Sequence, residues 1–289
     1  MSQPIIIVGA PRSGTNMLRD VLTSAPGVTT WPCDEINFVW KHGNLDLDHD
    51  EVPASRADRT ASYLQSVFER RRRRDNAEIV VEKTCATSLR VPFVARALPD
   101  AKFIFIRRDG LDATASTMKR WNAEFDLAYT LKKVRFVPPT DLPRHLRDFL
   151  AKRVRQRTSG DARSDANDLK VSTWWGPRPQ DFRELQRDHP LEELAFIQWQ
   201  RCVVQSADAL AAVDADRVLE VRYEDYVADP VAGTQRCLDF MGIGDRLERT
   251  EVGQVMTSSV GKGRSQLGPD AVSRLETLGG ATLSRFGYA

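Results

Sequence analysis

The sequence predicts an α/β fold, a parallel sheet flanked by helices with a long inserted segment on the substrate side. Ile5-Ile6-Ile7-Val8 is a short, apolar, β-branched run and reads as a buried strand. Gly9-Ala10-Pro11-Arg12-Ser13-Gly14-Thr15-Asn16 turns the chain tightly into Met17–Leu22, which has helical spacing. Further short apolar runs at 78–82, 102–106 and 217–222 alternate with helical stretches. That alternation builds parallel sheets whose ligands sit at the strand carboxyl ends.

A strand, a glycine turn and a helix start bring several backbone N–H groups to one point, which suits an anion and above all a phosphate. Gly9 and Gly14 have the spacing of a P-loop, but Thr15 stands where such a loop carries lysine, and the cation is Arg12 inside the turn. The loop is therefore P-loop-like, with a phosphate-type ligand expected and ATP hydrolysis not.

After a turn at Pro26-Gly27 and a stretch of mixed polarity to Asp50, residues 57–74 read as a helix ending in five arginines, Arg70 to Arg74. A solvated helix end favoured by the helix dipole is the simpler reading of that run, and a patch for an anionic acceptor is the other. Glu78–Glu82 is a strand with Lys83 at its carboxyl end, 88–97 a helix, and Lys102–Ile106 a strand leading into Arg107-Arg108-Asp109-Gly110 and a helix from Leu111 to Trp121. Right-handed crossovers place these loops on one rim. From 122 to 190 the periodicity weakens, and proline-containing segments with Trp174 and Trp175 suggest a lid or acceptor-binding insertion. A helix from Leu191 to Val213, a strand Arg217–Arg222, the segment opened by Tyr223-Glu224-Asp225 and a helix from Pro230 to Met241 follow. With no repeat or low-complexity linker, 1–289 are expected to form one domain.

Composition narrows the function classes. The 289 residues are 41% hydrophobic and 28% charged, with a net charge of +2, too weak to imply nucleic acid. The first apolar run is only the four-residue strand, and no run reaches the ~20 residues of a membrane span, so a cytoplasmic protein is expected. Cys33, Cys85, Cys202 and Cys237 are widely spaced, as are the four histidines, and neither set suggests a metal site.

Together these pieces resemble the sulfotransferases that use 3′-phosphoadenosine 5′-phosphosulfate (PAPS), over both halves of the chain. Pro11-Arg12-Ser13-Gly14-Thr15-Asn16 resembles that family's 5′-phosphosulfate loop, and Arg108 with Ser116 on the next helix resembles its 3′-phosphate motif. Arg222-Tyr223-Glu224-Asp225 and the late loop Ser258-Ser259-Val260-Gly261-Lys262-Gly263-Arg264 are similar to further nucleotide-contacting segments of bacterial members. The loop layout is similar to that of the protein-tyrosine and carbohydrate enzymes. The resemblance implies PAPS as co-substrate, with Lys262, Gly263 and neighbouring amides closing on the 3′ phosphate. A structural ion pair of Arg108 with Asp109 or Asp112 is the alternative for that arginine, a flexible basic connector for 261–264, and a core tyrosine for Tyr223.

Sulfuryl transfer needs a base for the attacking hydroxyl and cations for the charge that builds on oxygen. Arg12 and Lys83 can supply the charge, and no divalent metal is then required. The resemblance points to Glu35 as the base, with Asp34 and His42 as rivals. Trp174 and Trp175 suit the face of a sugar ring, or simply pack the insertion. The expected acceptor is a saccharide or glycoconjugate hydroxyl, with a phenol or secondary-metabolite hydroxyl as the alternative. A P-loop kinase and a non-catalytic nucleotide-binding module are the competing function classes.

Overall fold

A computed structural model describes residues 3–121, 137–141, 176–253 and 260–289. The strands are β1 (Ile5–Val8), β2 (Val28–Thr29), β3 (Ile79–Lys83), β4 (Lys102–Arg107) and β5 (Val218–Arg222), paired in the order β2-β3-β1-β4-β5. Every pairing is parallel. The flanking helices are α1 (Thr15–Ser24), α2 (Asn37–Trp40), α3 (Ala61–Arg74), α4 (Val91–Ala97), α5 (Gly110–Trp121), α6 (Phe182–Asp188), α7 (Leu191–Leu210), α8 (Tyr223–Ala228), α9 (Pro230–Met241), α10 (Gly263–Leu267) and α11 (Pro269–Arg285).

Strand alternation sends successive side chains to opposite faces. Ile6, Val8, Val80, Phe103 and Phe105 join a core with α3, α4, α7 and α11. Ile5, Ile7, Val81, Ile104 and Ile106 join a second core with α1, α8 and α9. Burial on both faces explains why these strands are continuously apolar rather than alternating. From β1 the chain first builds β2 and β3 on one side, then crosses to β4 and β5 on the other. The crevice at the carboxyl end of β1 is thus the switch point where open α/β sheets bind ligands.

The expected helix over 57–74 is two elements, a 3₁₀ segment Ala54–Arg59 and α3, broken at Thr60 where φ is −128°. In the arginine run, Arg71 pairs with Asp75 and Arg72 and Arg73 with Glu69, so much of its charge is met on its own helix. Of the expected insertion, only 137–141 and 176–190 lie among the described residues. No helix among the described residues is long and apolar enough to cross a membrane.

Candidate active site

The turn after β1 is built from unusual backbone. Arg12 has φ 67° and Gly14 φ 86°, both left-handed. A Cβ on Gly14 would also stand 2.5 Å from the Tyr223 ring, so glycine is required there on two counts. Gly14 caps α1 without a side-chain hydrogen bond, and no acidic residue occupies the helix's first turn. The first-turn amides and the positive end of the helix dipole therefore face the crevice. Ser13 is buried, and its hydroxyl has no hydrogen-bond partner among the described residues. Buried hydroxyls are normally paired, so an oxygen-rich anion fits here.

The end of β3 grips the segment that carries the expected base. Lys83 Nζ donates to Glu35 Oε1 at 3.1 Å, and the Cys85 backbone N–H donates to the same oxygen at 3.2 Å. Thr84 Oγ1 accepts from the Ile36 N–H at 3.1 Å and donates to Glu82 Oε1 at 2.6 Å. Lys83 is only 5% exposed. Burial opposes its charge, but the Glu35 carboxylate to which it donates holds the ammonium above the ordinary lysine range. Burial pushes the Cys85 thiol up to about 12, so it stays protonated beside Lys83 and Thr15.

Beneath this grip, burial pushes the Glu82 carboxyl up to about 7, against the pull of Thr84, Trp40, Arg90 and Lys83. A free glutamate titrates near 4.5, so between those values the folded protein binds a proton that the unfolded chain does not. Stability therefore falls as pH rises through that window, and the cost is complete above it. Relative to wild type, Glu82→Gln should gain in thermal midpoint between about pH 5 and about pH 8. A constant difference across that range would show that Glu82 does not titrate there.

A second cationic cluster opens on the same rim. A cavity of ≈ 230 Å³ is lined by Arg108, Asp112, Ser116, Lys119, Lys262, Gly263 and Gln266. Several contacts fix Arg108: Trp199 Nε1 donates to its carbonyl at 3.0 Å, and Tyr223 lies 4.5 Å under its guanidinium. It also donates to the Arg12 carbonyl at 3.0 Å. Next to it, Glu224 accepts from the Asp109 N–H at 2.9 Å and receives the Tyr288 hydroxyl at 3.2 Å. Arg12 bridges the two clusters, its Nε donating to Ser116 Oγ at 3.0 Å. Desolvation and then repulsion from Arg108 and Arg120 hold the Arg12 guanidinium below its ordinary range. Cations crowded in this way gain from a bound anion.

Not every expected residue converges. Arg264 pairs with Glu276 at 2.5 Å and does not line the cavity. Ser259, Trp174 and Trp175 lie outside the described residues. Pro11 stands in the loop, and Asn16 is exposed on the first turn of α1. Asp34 is 3.4 Å from Arg19, and His42 is held by Asp141 at 2.9 Å and packs on Tyr63. Arg107 turns away from the rim to Glu220 and the Phe286 carbonyl. Sequence reasoning missed Lys119 and Gln266 as cavity residues, and Trp199 and Glu224 as supports of the Arg108 loop. Lys119 alone left a signal, three residues beyond Ser116 on the same helical face.

Comparison with known proteins follows the same lines. A family model described as "Sulfotransferase family" matches residues 4–164 and 170–246. No curated protein matches significantly in sequence. The fold is similar to that of a sulfotransferase domain from the curacin biosynthetic pathway (TM-score 0.55, 14% identity, 100% of this chain and 99% of that chain covered). It is also similar to a sulfotransferase from Alicyclobacillus acidocaldarius (TM-score 0.53, 17% identity, 99% and 94% covered). A third similar fold is the sulfotransferase domain of the Synechococcus PCC 7002 olefin synthase (TM-score 0.51, 17% identity, 96% and 94% covered). At these identities the likeness is one of fold.

Proposed function

The chain belongs to the sulfotransferase family, and from that premise we propose that it moves a sulfuryl group from PAPS to a hydroxyl of a saccharide or glycoconjugate, with Glu35 as the base. One observation carries this reading. Glu35 is held 3.1 Å from Lys83 near the start of α1, which has no side-chain cap and no acidic residue in its first turn, and a second cationic cavity opens across Arg12 and Ser116. A ligand phosphorylated at both ends of an adenosine needs two such sites, whereas a triphosphate needs one cradle.

The co-substrate supplies the activated sulfuryl group. Loop amides, Ser13 and Arg12 hold its 5′ end, and Arg108, Ser116, Lys262 and Gly263 hold its 3′ phosphate. Glu35 takes the proton of the acceptor hydroxyl, and Lys83 and Arg12 meet the charge that builds on the leaving phosphate. Of the three candidates, Glu35 is the one held at the carboxyl end of β3, by Lys83 and the Cys85 N–H, which supports it over Asp34, turned to Arg19, and His42, packed on Tyr63. Lys83 and Arg12 can supply the positive charge that a kinase draws from magnesium, which favours sulfuryl over phosphoryl transfer.

Incubation with PAPS and a panel of saccharides, phenols and hydroxylated metabolites tests the whole reading. A sulfuryl mass gain on a saccharide supports it, and a gain confined to phenols moves the acceptor class. Consumption of ATP with magnesium and no transfer from PAPS overturns it in favour of a kinase. Nucleotide binding gives a separate check. The protein should bind adenosine 3′,5′-bisphosphate more tightly than ADP, and Arg108→Ala should cut that preference by about 1.5–3 kcal/mol, the worth of a charged hydrogen bond. Equal affinity for the two nucleotides in calorimetry would remove the 3′ site.

A further inference from the structure

Asp112 lies on the first turn of α5 and is 4% exposed, yet both of its oxygens are engaged by another part of the chain. Oδ2 accepts from the Gly261 N–H at 2.8 Å and Oδ1 from the Gly263 N–H at 2.5 Å. Arg108 stands 3.7 Å from Oδ2. Gly263 is pressed so closely on α5 that a Cβ there would fall 2.4 Å from the Leu111 carbonyl carbon and 2.5 Å from the Asp112 nitrogen. Lys262 is the residue between the two tethered glycines, and it lines the cavity with Arg108, Ser116 and Lys119.

We propose that Asp112 is a positioning residue that sets the protein's selectivity for a 3′-phosphorylated nucleotide. Its carboxylate pins the Gly261–Gly263 turn to α5, which stands Lys262 at the cavity, and the same carboxylate aims Arg108 from the other side. The inference rests on the nucleotide reading of this cavity given above.

Electrostatics makes the proposal decidable by sign. A carboxylate beside an anion site repels the anion, so neutralising it would by charge alone tighten phosphate binding. Positioning predicts the reverse. Asp112→Asn leaves one oxygen for two amide donors and turns an NH₂ toward an N–H, so the turn is released and the 3′ phosphate loses Lys262.

Calorimetry with adenosine 3′,5′-bisphosphate and adenosine 5′-phosphate reads this directly. Asp112→Asn should weaken the bisphosphate by about tenfold or more, the scale of one charged contact. The 5′-phosphate, which has no 3′ group, should change by less than about threefold, within the scatter of uncoupled sites. Gly263→Ala leaves every charge in place and displaces the same turn, so it should show the same selective loss even where Asp112 variants fold poorly. In the Asp112→Asn background, Lys262→Ala should cost little more, because the two act through one contact. Tighter or unchanged bisphosphate binding in Asp112→Asn, or an equal loss of both nucleotides, would overturn the proposal. A wild-type protein without preference for the bisphosphate would instead bring down the nucleotide reading of the cavity, and this proposal with it.

Discussion

Glu35→Gln should lower kcat by about 10²–10⁴-fold while nucleotide binding stays nearly unchanged, the loss expected when a general base can no longer accept a proton. The glutamine keeps the volume and one oxygen, so Lys83 and the Cys85 N–H retain an acceptor in the place they now use, 3.1 and 3.2 Å from Oε1. The grip of β3 on the 35–36 segment also runs through Thr84 and Ile36, which the substitution does not touch. A drop in rate is then chemical rather than a collapse of the loop. Rates at saturating donor and acceptor, with bisphosphate affinity measured beside them, decide the matter. If Glu35→Gln keeps its turnover while Asp34→Asn or His42→Ala loses it, the base is misassigned.

The parts legible in the sequence are those made by local chemistry. Parallel strands declare themselves as short apolar runs, so β1, β3 and β4, buried on both faces, and the edge strand β5, where only Val221 is buried, were readable, and the loop at 9–16 was readable because glycine, proline and an internal arginine can do little else there. Elements set by tertiary contact were not. β2 is two residues long and exists because Val28 and Thr29 pair with Ile79 and Val80. α2 is a single turn, too short to show a period. The break at Thr60 interrupts a stretch whose composition remains helical on both sides. In the candidate site, Arg108 and Ser116 announce themselves by spacing, but their supports do not. Trp199 reaches the Arg108 carbonyl from 91 positions away in sequence, and Asp112 meets Gly263 across 151. No local pattern encodes such pairs. Asp112 was legible only as a possible partner of Arg108, a contact it makes at 3.7 Å alongside its two backbone acceptances.

Lys83→Met and Arg12→Ala should each lower kcat by about 10²–10³-fold, the usual loss when a positioned charge stabiliser is removed, and raise the KM for donor by less. The two cations differ in setting, which separates catalysis from folding. Arg12 sits on a left-handed loop position, its guanidinium facing Arg108 and Arg120 and bonded to Ser116, so its removal relieves repulsion along with losing that bond, and Arg12→Ala should leave the thermal midpoint almost unmoved. Lys83 is buried at the end of β3 and pairs with Glu35, whose side chain is 25% exposed. Losing one member of a buried pair costs about 3–5 kcal/mol, but a carboxylate open to water recovers part of its solvation, so Lys83→Met should cost less than that. Methionine fills the space of the lysine stem, which limits the packing loss further. A rate defect in both variants with a stability defect only in Lys83→Met places the shared loss in the transition state. Near wild-type turnover in either variant would take that residue out of the mechanism.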